Sequence, residues 1–190
     1  MANKVHPQAS VSDPSPAGRQ TFTVWMKSLV CHTNGCTVFD SKGDIVYRVE
    51  NYDSKGGCEV QLMDLQGNIL YSILSKKLQI FGCWNGYRGG TNKEQPCFTV
   101  KKCYSFVRRE IACQVTVGFN TYWIVRLGHK NQGFKILNIT GDIVAEVKQK
   151  QVSSGVVLGE DVLALEVEPC MDHSLIVALV TVYGLINRRL

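Results

Sequence analysis

Beyond residue 20 the chain reads as short apolar runs rich in Val, Ile, Tyr and Phe, broken by Gly, Asn, Asp and Lys. That is the composition of strands and tight turns. One pattern occurs three times: VFDSKGDIVYRV from Val38, LMDLQGNILYSI from Leu62 and ILNITGDIVAEV from Ile136. Each holds an apolar pair, Asp or Asn, two variable residues, Gly, Asp or Asn, and an alternating segment. Gly43, Gly67 and Gly141 sit where a short hairpin turn needs a positive φ, which a residue without Cβ adopts freely. Alternation then assigns Ile45, Tyr47, Val49, Ile69, Tyr71, Ile73, Ile143, Ala145 and Val147 to a buried face. The opposite, largely wet face carries Arg48, Glu50, Ser72, Glu146 and Lys148.

The same reading predicts strands near residues 22–27, 35–39, 79–84, 97–105, 111–117, 122–127 and 162–168. With the hairpin arms this makes about a dozen, a number that closes into a barrel or splits into two sheets. The hairpins are unevenly spaced, so the chain is no solenoid. Residues 175–186 are apolar except for Thr181, and the run outlasts an ordinary strand. A helix near residues 172–187 that is apolar all round must be surrounded by protein. Asp172 or Ser174 is suited to cap its start, and Arg188 and Arg189 suit the negative end of its dipole. The expected fold is mainly β: a closed antiparallel sheet of about twelve strands wrapped around a hydrophobic C-terminal helix.

Residues 1–20 are polar, hold Pro7, Pro14 and Pro16, and show no periodicity, so they read as a disordered tail ahead of one domain over 21–190. The helix would be about 24 Å long, short of the roughly 20 apolar residues needed to span a bilayer. No transmembrane span is expected.

Eight cysteines stand at positions 31, 36, 58, 83, 97, 103, 113 and 170. Most lie in apolar runs such as IACQVTV, where a free thiol packs as a small hydrophobe. The start, MANKVHPQAS, lacks the pattern of a secretory signal. Reduced thiols in a cytoplasmic, peripheral-membrane or nuclear protein are therefore expected. No C-x-x-C pair occurs and His6, His32, His129 and His173 are scattered, which disfavours a zinc site. Cys31 and His32 would point to opposite faces of a strand, so they make no catalytic dyad. No nucleophile elbow, Walker loop, Rossmann fingerprint or H-E-x-x-H is present. No cofactor and no catalytic residue are expected, and the protein reads as a non-enzyme and a monomer.

TVWMKSL, VYRVENYD, LMDLQGNIL, SKKLQIFGCWNGYRG and VVLGEDVLALEVEPCMDHSLIVAL resemble, in order, the plant LURP-one-related family from about Thr21 to Ile186. The resemblance implies the tubby-like C-terminal fold, a barrel of about twelve strands around a hydrophobic helix, in agreement with the pattern reading. It also implies a role in plant defence and kinship with tubby-like proteins and phospholipid scramblases, a group proposed to be membrane-tethered transcription regulators. Tubby domains hold phosphoinositide headgroups with Lys and Arg.

The formal net charge of +5 is mildly basic and well short of a nucleic-acid arm, so nucleic acid is disfavoured as a direct ligand. Three basic pairs remain as candidates for an anionic headgroup: Lys76 with Lys77, Lys101 with Lys102, and Arg108 with Arg109. Two functions follow. The first is a non-catalytic signalling module that binds an anionic phospholipid or a protein partner. The alternative is a scramblase-like lipid-handling protein that uses the apolar helix.

Overall fold

The computed structural model describes residues 18–28, 35–54, 57–75, 82–90, 95–104, 110–128, 133–151, 158–159 and 161–187. Twelve strands are followed by one helix. The strands are β1 (Gln20–Ser28), β2 (Gly35–Phe39), β3 (Ile45–Ser54), β4 (Gly57–Met63), β5 (Ile69–Ser75) and β6 (Cys83–Arg88). After them come β7 (Phe98–Lys102), β8 (Ile111–Val117), β9 (Asn120–Arg126), β10 (Gly133–Leu137), β11 (Ile143–Gln149) and β12 (Val162–Val167). The helix is α1 (His173–Ile186). Each strand pairs antiparallel with the next in sequence, and β1 closes the ring on β12, with Gln20 opposite Val167 and Trp25 opposite Val162. Closure leaves no edge strand in the sheet.

A barrel of eight strands is filled by its own side chains, and one of twelve is wider. Here α1 fills the difference. Its residues Ile176 to Gly184 are all buried, and they share one core with inward-facing residues such as Val38, Leu62, Ile73, Phe98, Ile124, Ile136 and Leu165. The buried Thr181 hydroxyl donates to the Val177 carbonyl oxygen at 2.9 Å, so the single polar side chain of that run is satisfied within the helix. Asp172 is the N-cap and accepts from the Ser174 and Leu175 N–H groups at 3.0 and 3.2 Å. Ser174, the other expected cap, instead donates its hydroxyl to Asp172 at 2.6 Å.

The three like hairpins share one turn. Asp40 accepts from the N–H groups of Lys42 and Asp44 at 2.8 and 2.9 Å. Asp64 does the same for Gln66 and Asn68 at 3.0 and 2.8 Å, and Asn138 for Thr140 and Asp142 at 3.0 and 2.8 Å. Gly43, Gly67 and Gly141 take φ of 91°, 81° and 90°, as the sequence predicts.

Several expectations change. The strand expected over 79–84 is described as β6 from Cys83 to Arg88, and residues 79–81 lie outside the described part. The strand runs on through Gly86 because the ring of Phe98 occupies the space of its absent side chain; a Cβ there would sit 2.1 Å from the ring. Ser72 and Glu146, assigned to the wet face, are buried. Ser72 donates to the Gly89 carbonyl oxygen at 3.0 Å, and Glu146 lies between Lys135 at 3.4 Å and Lys148 at 3.0 Å. Burial is tolerated because both polar groups are bonded. The first strand starts at Gln20, one residue inside the expected tail, while residues 1–17 and the capping arginines Arg188 and Arg189 fall outside the described residues.

Candidate functional site

Because the strands alternate in direction, the barrel has two distinct ends. The helix enters at one, which also carries the β2–β3, β4–β5, β8–β9 and β10–β11 turns and the β12–α1 connection. At this entry end the ring of Phe22 stacks on His173, with centroids 5.3 Å apart. Towards the other end, the mouth, Tyr183 near the end of α1 packs on Phe134 at 4.3 Å.

Of the six expected headgroup ligands, Lys101 and Lys102 are described, at the mouth end of β7. They do not act as a pair. Phe98 and Val100 are buried and successive residues of a strand face opposite sides, so Lys102 takes the inward register and Lys101 the outward one. Lys101 is exposed, whereas Lys102 is half-buried with its Nζ 5.4 Å from the centre of the Tyr104 ring, a cation–π contact. Lys76, Lys77, Arg108 and Arg109 lie outside the described residues. The described residues that bracket them, Ser75 and Cys83, then Tyr104 and Glu110, all stand at the mouth.

The second inward cation is Arg126, which the pairs did not suggest. Ile124 is fully buried on β9, so Arg126, two residues on, shares its register at the mouth. Its N–H donates to the Glu110 carbonyl oxygen at 2.8 Å, and it stands opposite Phe134 of β10. Between the two cations lies Cys113 of β8, directly opposite Lys102. Burial pushes the Cys113 thiol up to about 12, and Cys103 adds to that, while Arg126 and Lys102 both pull it down. Two cations on different strands thus act on one point of the inner wall. The thiol stays protonated at neutral pH and is no nucleophile. The signal for Arg126 was in the sequence: a charge in the apolar phase of Tyr122, Ile124 and Arg126. What such a mouth can do is hold an anion, since Lys and Arg donate charge-assisted hydrogen bonds to phosphate or carboxylate oxygens. The negative end of the α1 dipole points the same way and supplies part of the balancing charge.

At the entry end the charges serve the fold. Arg88 bonds Asp172 at 3.0 Å and the Tyr71 hydroxyl at 3.1 Å, and lies 5.6 Å over the Tyr71 ring. Burial raises the Asp172 carboxyl, but the Ser174 hydroxyl, the Leu175 N–H and Arg88 outweigh it and hold the group below the ordinary carboxylate range. Cys36, Cys83, Cys97, Cys103, Cys113 and Cys170 stand outside any disulfide, and Cys36, wholly buried, is pushed up to about 12 by burial. Cys31 and the side chain of Cys58 lie outside the described part. Among the described residues no group of three or more His, Cys, Asp or Glu is placed to hold a metal ion. No described helix is long and apolar enough to cross a membrane.

Comparison with known proteins gives a consistent picture. A family model described as LURP-one-related matches residues 20–184. The chain is 50% identical over 193 residues to LURP-one-related 4 of Arabidopsis thaliana, an alignment covering 97% of this chain and 86% of that protein. It is 38% identical over 205 residues to LURP-one-related 11 of the same plant, covering 97% and 88%. An X-ray structure of a further Arabidopsis thaliana protein matches with a TM-score of 0.64 at 17% identity, covering 93% of this chain and 98% of that one, a likeness of fold alone.

Proposed function

Because the chain belongs to the LURP-one-related family, we propose that it is a non-catalytic signalling module whose mouth binds anionic phospholipid headgroups at a membrane surface. The observation that carries this reading is the convergence of Lys102 and Arg126 on the inner wall beside Cys113. A cation gains little from a protonated thiol, so the arrangement is better matched to an incoming anion than to its neighbour. Lys101 on the outer side of the same strand end adds charge facing the approach. The likeness to tubby-like domains, which hold phosphoinositides with Lys and Arg, supports the same ligand chemistry as a fold-level analogy. A scramblase-like role is the weaker reading, since it requires the apolar face of α1 to meet lipid and that face is enclosed by the barrel wall.

Co-sedimentation with phosphatidylcholine vesicles containing a phosphoinositide tests the proposal. Attraction is worth about 1 kcal/mol per basic residue near such a surface and the screening length is about 10 Å at 0.1 M salt. Pelleting at about 50 mM salt is expected to fade as salt rises. It should weaken on Lys102→Ala and Arg126→Ala, and on pairwise change of Lys76 and Lys77, Lys101 and Lys102, or Arg108 and Arg109 to Ala. A folded protein that stays in the supernatant at low salt overturns the headgroup reading.

A further inference from the structure

The opposite end of the barrel carries a feature that neither the fold nor headgroup binding uses. Leu65, Phe119 and Ile139 stand 55%, 106% and 78% exposed, each at the tip of a turn on the entry end. Turn chemistry does not require them. The β2–β3 turn makes the same Asx hydrogen bonds and uses the same positive-φ glycine, yet it places Ser41 where the other two like turns hold Leu65 and Ile139. In the β8–β9 turn Gly118 takes a φ of 56° and closes the hairpin, and the next residue, Phe119, projects fully into solvent. Exposing an aromatic ring at a hairpin tip wins nothing for folding; it is useful when something covers it.

Charge says what kind of surface covers it. Asp142 closes the Ile139 turn and Glu166 and Glu168 stand at the end of β12, beside β11, while Asp40, Asp44 and Asp64 lie in the turns across this end. Bonds to Asn68, and to Thr140 and Asn138, hold the Asp64 and Asp142 carboxyls below the ordinary carboxylate range, so both stay ionised near neutral pH. Arg88 and Asp172 offset each other and the single Arg19 is shared by Glu166 and Glu168, so with Lys42 the one further cation of the described turns, the rim of this end stays mainly negative. An anionic leaflet is repelled by such a rim, whereas a protein segment that mixes Lys or Arg with large apolar residues complements it. The Phe119 and Ile139 tips are two strands apart, roughly 10 Å at the usual strand spacing, so one short segment reaches both.

We infer that the entry end of the barrel is a docking surface for a basic, apolar-bearing segment of a protein partner, with Phe119 and Ile139 as its anchors; Leu65, half the ring away from Ile139, lies outside it. The inference is independent of headgroup binding and makes the domain two-faced: one end for an anion, the other for a cationic partner.

The test uses the full chain, isotope-labelled for NMR, with a synthetic peptide of alternating Lys and Leu as probe and its Glu-for-Lys counterpart as control. Shifts confined to residues 118–120, 138–142 and their neighbours are expected with the Lys peptide, and none with the Glu peptide. Phe119→Ser with Ile139→Ser should weaken peptide binding by about tenfold or more, as loss of buried anchors does, with an unchanged melting temperature. Leu65→Ser, across the ring from Ile139, should leave it unchanged. Binding that maps to the mouth, equal binding of both peptides, or no binding by the folded protein overturns the inference. So does pelleting with neutral phosphatidylcholine vesicles, or self-association, that the double substitution abolishes, because the tips would then serve a membrane or a second copy of the chain.

Discussion

At the entry end of the barrel the bonded charges are part of the fold, whereas at the mouth, beside structural groups such as Asp161 on Trp25, Lys102 and Arg126 face inward without that role. Asp40, Asp64 and Asn138 hold turns closed, Asp172 caps the helix, and Arg88 ties that cap to Tyr71. At the mouth Lys102 and Arg126 face inward beside a thiol that is neutral at physiological pH. The contrast teaches how to separate structural charge from available charge in one domain. Where a side chain fills hydrogen-bonding vacancies of the backbone, its removal is felt as stability. Where it merely adds field to a rim, its removal is felt by a ligand.

The strongest way to break the comparison removes what joins the two ends. Truncation before Met171 takes away α1, whose run from Ile176 to Gly184 is buried throughout. Burying one such large apolar side chain is worth about 1.5–3 kcal/mol, against a net stability of about 5–15 kcal/mol for a whole domain. The truncated chain should show no cooperative melt, and a soluble, cooperatively melting product would end the view that the helix organises the barrel. Next in size, Gly86→Ala drives a methyl group into the Phe98 ring on the entry-end side of the core. Overpacking of this kind costs about 1–3 kcal/mol. Combining it with Phe98→Ala should cost less than the sum of the two single changes, as read by a denaturant double-mutant cycle.

A smaller effect sharpens the entry-end side. Asp172→Ala removes an N-cap, for which about 0.5–2 kcal/mol is expected. Asp64, Asp142 and Asp172 all have folded-state carboxyls held below their ordinary range. Their contribution is therefore complete above the unfolded value near 3.9 and is lost as pH falls through the lower folded values. Melting temperature should drop steeply below about pH 4, and less steeply in Asp172→Ala. The smallest effect is at the mouth. Lys102→Ala and Arg126→Ala should each change unfolding free energy by no more than about 0.5 kcal/mol, the usual range for substitutions that break no bonded network. A loss of 2 kcal/mol or more in either would mean that these cations are structural and would erase the distinction between the ends.

Much of the fold was legible because its signals are local. The positive-φ glycines, the Asx residues before them and the alternation after them lie within a dozen consecutive residues, and the all-apolar helix is continuous. The burial of Ser72 and Glu146 was not legible, since it depends on distant partners, Gly89 just past β6 for one and Lys135 of β10, joined by Lys148 of Glu146's own strand, for the other. The site fared worse for the same reason. Adjacency in sequence suggested Lys101 and Lys102 as a unit, and the pleat splits them. The partner Lys102 gains instead, Arg126, stands two strands away, and only the register of β7, β8 and β9 brings both to Cys113. Two of the apolar tips, Leu65 and Ile139, were hidden in plain view as variable residues of the repeated turn.

The placement of α1 also bears on how the chain is made. Synthesis begins at the N-terminus, so β1 emerges long before β12, the strand it must close against, and the helix that fills the interior emerges last. Until then the growing sheet has an apolar inner face with nothing to cover it and two unpaired edges, a species prone to aggregate. Maturation on the ribosome is therefore gated by the residues of α1. Premature termination anywhere before α1 is complete should yield a client for chaperones and proteases rather than a partly working protein, and no fragment ending within the barrel should be expected to act in a dominant way.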